Sequence, residues 1–393
     1  MKIGFVVESF PGERRVAVVP GGVPALTKAG LTVRMESNAG LSAGFRDAAY
    51  VEQGVEILGR REVFDTADVM LQVRAPGANP STGRADLACL RTDQVLIGLC
   101  EPLLSHEPTR QLAERGVTTF AMELMPRITR AQSMDSLSSM ATVAGYRAVL
   151  LAASHLPRMF PMFMTAAGTI TPARVLIIGA GVAGLQAIST ARRLGALVHA
   201  YDVRPAVKEQ VESLGAKFVE LPLETADAEG KGGYARAQDE TFYRRQRELM
   251  GRVVAESDVV ITTAAIPGKK SPVLVTAEMV QGMAAGSVIV DLAAERGGNC
   301  ELTRPDETVT AHDVTILGPT NLPSTAPYHA SQMYSKNITT FLLHLVKDGQ
   351  IQIDLQDEIT RETLLTRGGA IVNERVRELA GAGEPQSSEG RDS

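Results

Sequence analysis

Cysteine, histidine and long apolar runs are all scarce in this chain, and each scarcity narrows what it can do. The three cysteines, Cys89, Cys100 and Cys300, form no CxxC pair and show no zinc-type spacing. No structural metal is therefore expected, and a reducing cytoplasm suits the composition. His155, His199, His312, His329 and His344 are scattered without metal spacing and read as surface or capped positions. No uncharged apolar stretch reaches the roughly 18 residues that a membrane span needs. The best approach, residues 140–156, is interrupted by Tyr146, Arg147 and His155. The opening MKIGFVVESFPGERR is a strand and a charged turn, with no apolar segment of signal-peptide length. A soluble protein is expected, docking on a membrane only through partners. The net charge is −5 with both signs interspersed, which argues against a nucleic-acid or anionic-membrane surface. The pairs Arg192-Arg193 and Arg244-Arg245 read as solvated helix faces.

What is present is more specific. Residues 173–184 read ARVLIIGAGVAG, an amphipathic helix pattern follows, and the next apolar run closes on Tyr201-Asp202. Each part has a task in holding a dinucleotide. Gly179 permits the tight turn from strand to helix. Gly181 leaves bare backbone for the pyrophosphate, and Gly184 lets the helix pack closely on the strand. The helix N-terminus offers free amides and partial positive charge. Asp202, 18 residues beyond Gly184, can accept the adenine-ribose hydroxyls and would repel a 2′-phosphate. NAD(H) is therefore expected rather than NADP(H).

Around this fingerprint, 393 residues suffice for two domains of ordinary size. Strands are expected at 2–7, 31–36, 68–73, 94–99 and 117–121, with helices near 21–29, 48–54, 59–65 and 107–115. A long helical pattern over 136–157 leads to a second series of strands at 174–178, 197–202, 217–220, 258–262, 287–291 and 314–317. Another helical stretch covers 328–347, and the segment 350–380 ends in a helix carrying Val372, Val376 and Leu379. The fold class is α/β: two Rossmann-like domains with parallel sheets covered on both faces. A nucleotide domain over 136–326 is nested within a discontinuous N-terminal domain of 1–135 and 327–380, with two long helices joining them. The tail 381–393, small and polar, reads as disordered. The Met159–Met164 run reads as core packing.

Two further stretches stand out. Residues 222–241 are rich in Asp, Glu, Gly and Ala, and place Gly233 and Tyr234 together, as a glycine-hinged lid would. In residues 125–139, Arg127 follows Pro126, and Gln132, Asp135 and Ser138 recur at three-residue steps. In a helix these three would share one face, and such a face at a domain junction can grip a polar ring. A capped helix start with a salt bridge is the plainer alternative.

GERRVAVVP at 12–20, MPRITRAQSMDSLSS at 125–139, VLIIGAGVAGLQAISTARRLGALVHAYDVR at 175–204, ITTAAIPGKKSPVLVT at 261–276 and VIVDLAAERGGNCELT at 288–303 occur in this order. Together they resemble the alanine dehydrogenase and pyridine-nucleotide transhydrogenase superfamily over nearly the whole chain. The Arg127–Ser138 cluster and the Gly-Gly-Tyr loop resemble the NAD(H)-binding component of proton-translocating transhydrogenases. The resemblance implies that Arg127, Gln132, Asp135 and Ser138 hold the nicotinamide and its ribose. It implies that Gly179, Gly181, Val182, Gly184, Asp202, Val203 and Arg204 hold the pyrophosphate and adenosine, and that Tyr234 with Gly233 closes over the nucleotide. Gln246 and Ala265 fall in segments lining the adenosine side. Asn321 in GPTNLP is a candidate for the nicotinamide side. A homodimer is implied, as are two partners: a membrane-spanning subunit that conducts protons and an NADP(H)-binding subunit. The chain would then sit at the inner face of the cell membrane.

The alternative within the superfamily is a self-sufficient alanine dehydrogenase, whose chemistry moves protons as well as hydride. Relatives of that type carry a lysine after the third strand and a histidine after the next. Here those segments read Gln72-Val-Arg74-Ala-Pro76 and Cys100-Glu101, and the late aspartate is replaced by Glu295. Arg15 remains, but arginine cannot shuttle protons at neutral pH. Hydride transfer between two nicotinamides needs none of this machinery. With one fingerprint visible, the second nucleotide is expected on a partner.

Overall fold

Short strands of valine, isoleucine and leucine, alternating with helices, build two separate parallel sheets. In this computed structural model, residues 1–220, 240–265 and 268–381 are described. The chain divides into one unit of Met1–Leu137 with the segment from Pro327, and another of Ser138–Ala326. The α/β class with parallel sheets is as expected.

In the first unit the sheet runs Ala370–Ile371, Leu364–Arg367, Thr118–Ala121, Val95–Leu99, Val69–Arg74, Lys2–Phe5, Thr32–Glu36, Glu56–Leu58. The six strands from the N-terminal part are mutually parallel. Their order reverses between Lys2–Phe5 and Val69–Arg74, and such a switch point opens a crevice at the carboxyl ends of the strands. The two strands from the C-terminal segment add antiparallel to this edge, beyond what the sequence pattern predicts. Their residues Leu364 and Leu365 are buried, so the segment 350–380 completes this core besides ending in the helix Glu374–Gly381.

In the second unit the order is Lys217–Phe218, Leu197–Tyr201, Arg174–Ile178, Val259–Thr262, Val288–Asp291, Val314–Leu317, Thr308–Ala311. All are parallel except the last, an antiparallel edge strand. The order is that of a doubly wound nucleotide fold. Val175 and Ile177 bury on one face, while Leu176 and Ile178 bury on the other. Coverage on both sides explains why the central strands read as continuous apolar runs. The helix Val182–Arg193 presents Gly184, Ala187, Ile188 and Ala191 inward, at the three- and four-residue spacing of a packed helix face.

One expectation fails. The Met159–Met164 run is not core: only Phe160 is buried, while Met164 is 77% exposed and Met162 56%. Residues 163–165 and 168–170 form a two-stranded hairpin exposed throughout. Hydrophobicity alone cannot tell a core segment from an apolar surface element. Gly233 and Tyr234, like most of the 222–241 loop and nearly all of the polar tail, lie outside the described residues.

Candidate functional site

The fingerprint turn sits at the carboxyl end of Arg174–Ile178, beside the switch point of the second sheet. Its three glycines differ sharply in what surrounds them. Gly179 has φ +98°, and a Cβ there would lie 2.5 Å from Thr263 Oγ1. A Cβ on Gly184 would lie 1.8 Å from the Gly179 carbonyl oxygen. Both positions are therefore demanded by the fold itself. Gly181 has φ −77° as N-cap of the following helix, and a Cβ there would meet nothing within 4 Å. The space over Gly181 is used by no protein atom. The first helical bond runs from Leu185 N to Gly181 O, 2.8 Å, and amides ahead of such a bond have no partner within the helix. Val182, partly buried, carries the first of them. An open backbone at the head of a 12-residue helix fits a pyrophosphate.

Asp202 is buried and already well supplied with donors. Its Oδ2 accepts from Ala180 N at 2.7 Å and from Arg204 Nη2 at 2.8 Å. Its Oδ1 accepts from Arg204 N at 2.8 Å and Arg204 Nε at 2.9 Å. The carboxylate thus ties the fingerprint turn to the next strand and forms a bidentate pair with Arg204. Val203 lies between them, partly buried. Gln246 is 1% exposed, and its Nε2 donates to Tyr201 Oη at 2.7 Å. Its place is beneath the strand that carries Asp202, while Ala265 is exposed.

A supporting network goes beyond the residues that the sequence singles out. Asp291, fully buried at the end of Val288–Asp291, accepts from Thr262 Oγ1, the amides of Ala293, Asn299 and Cys300, and Thr303 Oγ1 at 2.7–2.9 Å. Asn299 accepts from Ala264 N at 3.0 Å and donates to Ala264 O at 2.8 Å. Thr263 Oγ1 donates to Gly179 O at 2.9 Å. A continuous set of hydrogen bonds therefore runs from Asp291 to the fingerprint turn. The available signal was Asn299 in the Gly-Gly-Asn turn, which the sequence offers without its partners.

The Arg127–Ser138 cluster is not one helix. Residues Thr129–Met134 form a 3-10 turn, Asp135 is extended, and the α-helix begins at Ser136. In a 3-10 turn residues three apart eclipse, and Ala131 and Met134 use that register to bury together. Gln132 and Ser138 therefore do not share a helical face. Arg127 and Gln132 are exposed, whereas Asp135 and Ser138 are half-buried. Asn321 caps the short turn Leu322–Thr325, and Glu295 is exposed in the turn Ala294–Arg296.

The first sheet gathers titratable groups at its own switch point. Glu8 accepts from Val73 N and Arg74 N at 2.6 and 3.0 Å. Burial, with the Glu13 charge nearby, pushes its carboxyl up to about 8. Glu13 takes the Arg15 fork at 2.7 and 2.6 Å and Arg74 Nε at 3.2 Å. Burial alone would raise Glu13, but the Arg15 charge and bonds hold it at about 2. Arg74 also lies 4.2 Å over the Phe10 ring. Glu123 accepts from Cys100 N at 2.7 Å and from Glu101 N. Burial first, then the Glu101 charge, pushes it up to about 8. Arg74 and Glu101, which stand where an alanine dehydrogenase would carry a lysine and a histidine, are thus absorbed into a local network.

Residues 4–144 match the alanine dehydrogenase/PNT N-terminal domain, and residues 148–374 match the corresponding C-terminal domain. The chain belongs to the alanine dehydrogenase/PNT family. Within that family it is 45% identical to the first portion of the NAD(P) transhydrogenase alpha subunit of Rickettsia prowazekii, a separate chain, over 96% of this chain and 98% of that protein. The crystal structure of transhydrogenase from Sinorhizobium meliloti superposes with a TM-score of 0.83 at 44% identity, covering 94% of this chain and all of that one. An L-alanine dehydrogenase shares the fold, with a TM-score of 0.81, at only 26% identity over 97% and 99% of the two chains. Family membership implies a pyridine-nucleotide site. Among the described residues, no helix is long and apolar enough to cross a membrane.

Proposed function

We propose that this chain is the NAD(H)-binding component of a proton-translocating transhydrogenase. The observation that carries the reading is the open backbone over Gly181, at the head of a helix in a doubly wound sheet. It occurs in a chain far closer to transhydrogenase relatives than to alanine dehydrogenase. Bound here, NADH would supply a hydride from its C4 to the C4 of NADP⁺ held on a partner subunit, with no proton exchanged at the reacting carbons.

The chain's own part is binding and orientation. Gly181, Val182 and the helix N-terminus receive the pyrophosphate, Asp202 with Val203 and Arg204 the adenosine end, and Gly233 with Tyr234 the covering lid. Gln246 acts from beneath, by holding Tyr201, and Ala265 contributes exposed backbone beside the turn. Arg127, Gln132, Asp135 and Ser138 fix the nicotinamide and its ribose. Orienting two rings in contact, away from water, is what such a transfer requires. Direction comes from proton movement through a membrane-spanning subunit, which changes nucleotide affinity on the NADP(H)-binding partner. These partners hold the chain at the inner face of the cell membrane. A homodimer is supported by the apolar hairpin at 163–170, whose Phe163, Met164 and Ile170 are exposed and suit burial against a second copy.

The test is hydride transfer from NADH to NADP⁺ bound on a transhydrogenase NADP(H)-binding component mixed with this purified chain. Pyruvate with ammonium runs beside it as the competing acceptor. Transfer to NADP⁺ alone is the expected result. Turnover with pyruvate would overturn the reading in favour of an alanine-dehydrogenase-type enzyme.

A further inference from the structure

The 3-10 turn Thr129–Met134 has little regular structure of its own, yet it is tied down from three elements of its own unit. From below, Ala131 and Met134 are buried. From the helix Pro327–Leu345, Asn337 Nδ2 donates to Ser133 O at 2.9 Å, and Asn337 itself is 5% exposed. From the loop ahead of the helix Glu358–Thr363, Asp357 Oδ2 accepts from Arg130 Nη1 at 2.5 Å.

Asp357 is the meeting point of these constraints. Its Oδ1 accepts from Thr360 N at 2.9 Å as a helix cap, and contacts His344 Nε2 at 3.0 Å. His344 closes the helix that also carries Asn337. Partial burial would raise the Asp357 carboxyl, yet the Thr360 amide, Arg130 and His344 together hold it well below the usual carboxylate range. The carboxylate therefore keeps its charge, and its grip on Arg130, throughout the neutral range.

We propose that Asp357 is a positioning residue for hydride transfer: through Arg130, and together with Asn337 on Ser133, it fixes the turn from which Arg127, Gln132 and Asp135 project. This rests on the reading that those three hold the nicotinamide end. The Arg130–Asp357 pair is half open to water, with the Arg130 side chain 53% exposed. Exposed pairs contribute little to global stability. Its use is geometric, because a turn with only its own i to i+3 bonds has several near-equivalent arrangements, and transfer between rings falls steeply with misplacement.

Arg130→Gln, Arg130→Lys, Asp357→Asn and, as a reference, Arg127→Ala would be made in the full chain. Three quantities are measured for each: transfer to NADP⁺ on the partner component at saturating NADH, affinity for ADP-ribose, and Tm. Arg130→Gln and Asp357→Asn should lower the transfer rate about tenfold, as expected for loss of alignment. ADP-ribose affinity should stay within about twofold and Tm within a few degrees, since a surface pair is lost and nothing more. Arg130→Lys should recover part of the rate. Arg127→Ala should fall at least as far. Normal transfer in Arg130→Gln and Asp357→Asn, with Arg127→Ala impaired, would sink the positioning role and leave the nicotinamide assignment standing. Normal transfer in Arg127→Ala would remove both. Parallel loss of transfer, ADP-ribose affinity and Tm would reduce Asp357 to a structural cap and overturn the proposal.

Discussion

Replacing Gly181 by alanine separates the two demands that a dinucleotide fingerprint places on its glycines. The fold does not need a glycine there: φ is −77°, and a Cβ would meet nothing within 4 Å. As an N-cap, alanine is worse than glycine by roughly 0.5–1 kcal/mol. Restricting the unfolded chain returns about 0.4–1 kcal/mol. The two nearly cancel, so Tm should move by no more than about 2–4 °C. The bound state is different. The methyl would project about 1.5 Å from Cα into the space assigned to the pyrophosphate, lifting it off the amides at the helix start. Losing one charge-assisted hydrogen bond, worth about 1.5–3 kcal/mol, raises Kd about 10- to 150-fold. NADH and ADP-ribose titrations, with adenosine as a ligand lacking phosphate, provide the assay. NADH and ADP-ribose should both weaken by that factor while adenosine changes little. Gly184→Ala is the contrasting control: its Cβ would lie 1.8 Å from the Gly179 carbonyl, so that variant should fail to fold natively. If Gly181→Ala bound NADH within twofold of the parent, the pyrophosphate would not rest on this backbone and the site would have to be redrawn.

Asp202→Asn should weaken NADH about tenfold through loss of a charged acceptor. It should also strengthen NADPH, because Arg204, released from its fork, can meet a 2′-phosphate; an unchanged NADH-to-NADPH affinity ratio would refute this. Glu123→Gln addresses the buried carboxyls of the first sheet. The folded-state value of Glu123, about 8, lies above the ordinary 4.5, so its contribution is fully present below pH 4.5 and is lost as pH rises from there through 8. Wild-type Tm should accordingly fall between pH 5 and 9, and Glu123→Gln should fall less, ending above the wild type at pH 9. Parallel Tm curves for the two proteins would show that Glu123 ionises freely when folded.

Much of the fold is legible in the sequence because parallel strands buried on both faces leave unbroken runs such as Val175–Ile178, and amphipathic helices separate them. The C-terminal strands Leu364–Arg367 and Ala370–Ile371 are not, since antiparallel strands of two to four residues carry too few alternations to register. The exposed hairpin at 163–170 misleads for a related reason. Its methionines have the hydropathy of core residues, and only a tertiary context decides whether something covers them. The Arg127–Ser138 cluster shows the limit of spacing arguments. Three-residue steps suit a 3-10 turn as well as a helix, and the joint burial of Ala131 and Met134 selects the turn.

The candidate site is legible in its glycines and its acid, but not in the partners of that acid. Asp202 occupies the expected position whether its carboxylate is open or taken, and here four donors reach it: Ala180 N and three atoms of Arg204. A carboxylate offers about four lone-pair directions, so ribose hydroxyls can be accepted only if Arg204 gives way. Repulsion of a 2′-phosphate by a bare aspartate is then too simple an account of NAD(H) preference. The Ala180 bond joins Asp202 to the fingerprint turn, so it persists whether or not a ribose is present, while the Arg204 fork is the part that exchanges. Discrimination between NAD(H) and NADP(H) therefore depends on the Asp202–Arg204 pair as a unit: the carboxylate favours ribose hydroxyls only to the extent that it surrenders the guanidinium, and the guanidinium favours a phosphate only to the extent that it leaves the carboxylate.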